Sequence, residues 1–71
     1  MYIVTFYQSG VDGIPSERYR TKAEAVKAQR EFIQALYTPG KGYSKTSRYE
    51  NTRQLAHPVH GLEASTTMGK L

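Results

Sequence analysis

Few side chains in this 71-residue sequence are spaced for chemistry, and each candidate group misses a specific requirement. Gly40 to Thr46 (GKGYSKT) has the glycine, lysine and hydroxyl composition of a phosphate-binding loop. In such a loop backbone amides cradle phosphates and a Lys-Thr pair completes the site. Setting Lys45 and Thr46 on that pattern places Pro39 and Ser44 where its two glycines belong, and no strand leads into the segment. It reads as a flexible basic loop. His57, His60 and Glu63 are spaced by threes, but Pro58 and Gly61 interrupt any regular helix that would align them. A structural zinc site takes four ligands, usually with thiolates, whereas this chain has two histidines and no cysteine. No metal and no cofactor is expected.

For acid and base work the chain offers Asp12 in an expected turn, Glu17 on a strand edge, and Glu24 and Glu31 on the outer side of a helix. Burial raises a carboxylate's pKa toward catalytic usefulness, and none of these positions is buried in the pattern. A Ser, His and Asp triad needs a cleft that excludes water, for which so short a chain has little room. The expectation is no catalytic residue and no enzyme activity.

Charge and tyrosine carry the remaining signal. Ten Lys and Arg oppose six Asp and Glu, a net charge of +4, and nine of the ten basic residues lie between Glu17 and Arg53. Such a field draws phosphate backbones and acidic protein surfaces alike. Six tyrosines accompany two phenylalanines and no tryptophan. Tyrosine suits positions where one end of the side chain is packed and the other is wet. Tyr7, Tyr43 and Tyr49, interleaved with Arg18, Arg20, Lys41, Lys45, Arg48 and Arg53, form the candidate partner-binding set.

The element that must position them is Thr21 to Tyr37, an amphipathic helix. Thr21 and Glu24 have capping-box spacing. At 100° per residue Ala25, Val26, Gln29, Phe32, Ile33, Leu36 and Tyr37 share one side, with Ala23, Glu24, Lys27, Arg30, Glu31 and Gln34 opposite. Pro39 and Gly40 end it. Before it, Tyr2 to Gln8 is β-branched and aromatic, as a strand should be. An Asp12-Gly13 turn would make a hairpin in which Phe6 faces Tyr19 and Val4 faces Thr21, leaving Ile3, Thr5, Tyr7, Arg18 and Arg20 on the open face. After the helix, Thr38 to Ser47 is a loop by composition, and the next stretch admits two readings. Ser47 and Glu50 repeat the capping-box spacing, favouring a short helix from Arg48 to Ala56, while Tyr43, Lys45, Ser47 and Tyr49 alternate as a strand would. The expected fold is α+β: an antiparallel β-hairpin packed on one amphipathic helix, with a short third element. Residues 1–57 form the domain and residues 58–71 an irregular C-terminal tail.

A chain of this size buries only about 60% of the surface its unfolded form exposes, so its stability margin is thin. Without cysteine there is no disulfide framework, which fits a reducing, cytoplasmic setting. The longest apolar run, Tyr2 to Val4, is far below the roughly 18 residues that span a bilayer, and no signal-peptide pattern follows Met1. Two functions fit these bounds. A small non-enzymatic module contacting nucleic acid through its basic, tyrosine-bearing surface comes first, because of a pI near 9.6. The alternative is a small regulator or inhibitor that docks on an acidic surface or sheet edge of a larger protein, with homodimerisation through the hairpin as a variant.

Overall fold

A computed structural model describes residues 1–48 and 51–71, the side chains of 47 and 48 excepted. It is an α+β fold: five strands and one helix in the order β1 (Tyr2–Gln8), β2 (Glu17–Tyr19), α1 (Lys22–Leu36), β3 (Ser44–Arg48), β4 (Thr52–His57) and β5 (Gly61–Lys70). The strands form one antiparallel sheet in the spatial order β2-β1-β5-β4-β3, with α1 across one face.

The helix follows its sequence signals. Thr21 is the N-cap, its hydroxyl oxygen accepting from the Glu24 amide at 3.2 Å. The Glu24 carboxylate meets the same hydroxyl at 3.2 Å, so the box closes through side chains. Ala25, Gln29 and Ile33 are buried, Val26, Phe32, Leu36 and Tyr37 half-buried, and the charged positions exposed. The apolar stripe lies on two clusters. Val4, Ala25 and Met68 form one, ringed by Tyr2, Phe6, Tyr19 and Val26. Ile33, Leu55 and Ala64 form the other, ringed by Phe32, Leu36, Tyr37 and Tyr43. Also fully buried are Gln29 and Thr66. The Gln29 Nε2 donates to the carbonyls of Asn51 (2.9 Å) and Thr66 (3.3 Å), tying the helix to β5 and to the approach to β4.

The first hairpin forms with a different turn from the one expected. Ser9 and Gly10 make the reversal, with Gly10 at φ 80° and Val11 N–H donating to the Gln8 carbonyl at 3.1 Å. Pro15 has no N–H to donate, and the ladder resumes only at Glu17. Tyr19 therefore faces Tyr2 instead of Phe6, and Val4 faces Glu17 instead of Thr21. The displacement is by an even number of residues, so every side chain keeps its face. Phe6 finds its aromatic partner on the helix, with the Phe32 ring centroid 4.9 Å away.

Two expectations for the C-terminal half are corrected. The favoured helix from Arg48 to Ala56 does not form; β3 and β4 pair instead, with Lys45 opposite Leu55 and Arg48 opposite Thr52. Thr46 and Thr52 suit a pleated strand better than a helix interior, and a strand lets Leu55 reach Ile33. The segment expected to be an irregular tail contains β5, the central strand, paired along its length with β1 and with β4. Its inward residues are Ala64, Thr66 and Met68, all buried. A bulge at Leu55/Ala56 shifts the β4–β5 register near the turn. No helix among the described residues is long and apolar enough to cross a membrane.

Candidate functional site

A single 15-residue helix cannot cover a five-stranded sheet, and the shortfall is on one side. α1 packs on β1, β2, β4 and β5. Its C-terminal half reaches the outermost strand β3 through Lys45, whose Nζ donates to Gln34 Oε1 at 3.0 Å and sits 4.5 Å from the Tyr37 ring centroid. Between helix and overhanging strand runs a groove of about 480 Å³. Arg30, Glu31 and Gln34 line it from the helix, and Lys45 and Arg53 from the strands. Ile33, 4% exposed, is its apolar floor.

The spacing explains the convergence. Arg30 and Gln34 are one helical turn apart with Ile33 between them, so rim and floor come from adjacent positions on the helix. Lys45 and Arg53 share the helix side of the sheet, because Lys45 pairs with buried Leu55 and Arg53 lies two residues from it. Among the described residues three cationic side chains thus meet one carboxylate. That carboxylate, Glu31, also faces Lys27 at 3.9 Å on the exposed helix surface.

The nine candidate residues do not form one surface. Tyr7 and Arg18 are on the open face, as expected, with Ile3 and Thr5. That face continues across Ser65 and Thr67 of β5, Thr52 and Gln54 of β4, and Thr46 of β3. Tyr7 is 47% exposed there, and the Thr5 hydroxyl donates to the Thr67 carbonyl at 3.2 Å. Lys45 and Arg53 are on the other face, in the groove. Arg20 is exposed beyond the end of β2, at the entry to α1. Tyr43 is half-buried against the Ile33 cluster, with its ring edge-on to His57 at 5.2 Å. The Arg48 backbone pairs in β3, while its side chain and Tyr49 lie outside the described residues.

Lys41 contributes backbone: its carbonyl is 2.9 Å from His57 Nε2. His57 Nδ1 accepts from the amides of Val59 (3.1 Å) and His60 (3.4 Å), so the neutral ring carries its proton on Nε2 and donates it to Lys41. Gly42, beside Pro58 in this loop, holds φ 86°, a left-handed conformation that residues with a side chain rarely adopt. His57 is thus a clasp between two turns. Among the described residues no group of three His, Asp or Glu side chains is placed to hold a metal.

Arg30 and Gln34 were absent from the candidate set. Their signal, a cation and an amide one turn apart beside Ile33, becomes legible only once a basic strand is known to run past that part of the helix. Among the described residues one perturbed titration stands out, at the other end of the sheet. The Tyr19 hydroxyl donates to the Glu17 carboxylate, which, with burial and the negative charges of Glu17 and Glu31, pushes the phenol up to about 12. Compared with family models, curated proteins and solved structures, the chain matches none.

Proposed function

We propose that this protein is a non-enzymatic binding module that contacts nucleic acid through the groove between α1 and the β3–β4 hairpin. One observation carries the reading: Arg30, Lys45 and Arg53, from three different elements, line a single groove in which Glu31 is the one carboxylate among the described residues. Guanidinium groups hold phosphate oxygens by paired, charge-assisted hydrogen bonds. Each neutralised phosphate releases condensed counterions, which supplies affinity without sequence preference. Lys45, held by Gln34 and stacked on Tyr37, loses less side-chain freedom on binding than an unrestrained lysine would.

The test is fluorescence anisotropy of labelled oligonucleotides between 50 and 200 mM salt. Three phosphate contacts predict a log-log salt slope of about −2 on single strands and about −3 on duplex. Arg53→Ala should weaken binding and make the slope shallower by about one contact's share. A flat or absent response with DNA and RNA, single- and double-stranded, would remove the proposal.

The protein-docking reading draws support from a separate feature. Among the described residues β3 is hydrogen-bonded only to β4, so its outer edge offers backbone groups to an added strand. Lysine on that edge discourages a second copy of this chain and favours an acidic segment. A protein partner recovered from native extract after nuclease treatment would favour this reading over the first.

A further inference from the structure

The groove's composition is mixed in an ordered way, with cations on the rim and an apolar floor. Resting on the nucleic-acid reading above, we infer that the unit recognised is an unpaired nucleotide and not the backbone ridge of a duplex. A duplex presents its phosphates on a convex surface with its bases stacked and paired within. Laid on this groove, it would set charge over Ile33 and leave the apolar floor unmatched. An unpaired nucleotide matches both parts. Its base has an apolar face for the aliphatic stems of Arg30 and Gln34, above the small part of Ile33 that the groove uncovers, and its phosphate reaches Arg53 and Lys45 on the opposite wall. Gln34 accepts from Lys45 through its carbonyl oxygen, which leaves its NH₂ group as a donor to a base edge. A volume of about 480 Å³ is on the scale of one small ligand, and an extended strand would place successive nucleotides beyond either end.

The unit is the same whether it belongs to a strand or is a free nucleotide, and competition separates the sources. A labelled ten-nucleotide oligothymidylate, a mixed-sequence hairpin duplex, uridine monophosphate and inorganic phosphate are compared on the intact protein at 100 mM salt. The single strand should bind at least ten-fold more tightly than the duplex. Gln34→Ala should weaken it a few-fold at unchanged salt slope, whereas Arg30→Ala and Arg53→Ala should lower affinity and slope together. Uridine monophosphate at millimolar concentration should compete and inorganic phosphate should not. If the monophosphate binds as tightly as the decamer, the source is free nucleotide and the inference stands. Duplex binding equal to or tighter than single-strand binding, with the same arginine dependence, would overturn the inference and leave the nucleic-acid reading in place. Competition by inorganic phosphate alone would overturn it likewise, because the groove would then read only charge. Failure to bind any of the four would remove both.

Discussion

The two outer strand pairs, β1–β2 and β3–β4, flank the same central strand and share one helix, yet they present opposite chemistry to it. Under α1, the first pair contributes Tyr2, Val4, Phe6 and Tyr19, which the helix covers. Beside the C-terminal half, the second contributes Leu55 and Tyr43 to the core and leaves Lys45 and Arg53 in a groove. The difference is one strand of width. Where helix and sheet match, the surface is used up by packing; where β3 overhangs, a concave and charged surface is left for a partner.

The sharpest way to break the comparison is to damage the packed part of the second pair. Leu55, 1% exposed, supports both the Ile33 cluster and the register of β3. Leu55→Ala should cost about 2–5 kcal/mol in urea unfolding, a large fraction of the total for a chain this small. Gln29→Ala, between the two clusters, should cost about 2 kcal/mol by removing two hydrogen bonds to carbonyls and leaving a void.

Thr66→Val should act in the opposite direction. Its hydroxyl is buried without a partner among the described residues, so replacing it with a methyl of nearly the same shape should stabilise by about 1 kcal/mol. The groove variants sharpen the contrast by separating stability from binding. Arg30→Ala and Arg53→Ala should leave the urea midpoint within error while weakening oligonucleotide binding about five-fold each, and Arg18→Ala on the open face should change it less than two-fold. The smallest effect belongs to the first pair. Tyr19 should ionise near 12 in an absorbance titration, and Tyr19→Phe should delete that step. Its folded pKa is raised, so the stability it contributes is complete below the unfolded value of about 10 and is lost as pH climbs through 12.

What the sequence made legible was whatever local physics decides. The Thr21 cap, the apolar stripe through Ile33 and the stop at Pro39 were readable because each signal lies within a few residues of its effect. The open face of β1 was readable because alternation survives an even register error. β5 was not. Of its three inward positions only Met68 is large and apolar; Ala64, packed with Ile33, and Thr66, whose carbonyl accepts from Gln29, are small or polar, so the strand carries little hydrophobic signal. The candidate site was half legible for a related reason. Lys45 and Arg53 could be picked out by charge, but their separation from Tyr7 and Arg18, and their meeting with Arg30, depend on a sheet order that brings together residues far apart in the chain.

The central position of β5 also governs how the molecule can assemble. β1 pairs with it across nearly the whole sequence, Tyr2 with Lys70 and Val4 with Met68, so the ladder that joins the two halves closes the longest loop available. Until Gly61 to Lys70 is present, β1–β2 and β3–β4 are two ribbons with no sheet between them, and the underside of α1 stays wet. High contact order of this kind slows folding for a given size, and it leaves apolar surface open while synthesis proceeds. Collapse is therefore expected only once Gly61 to Lys70 has been made, and in one step.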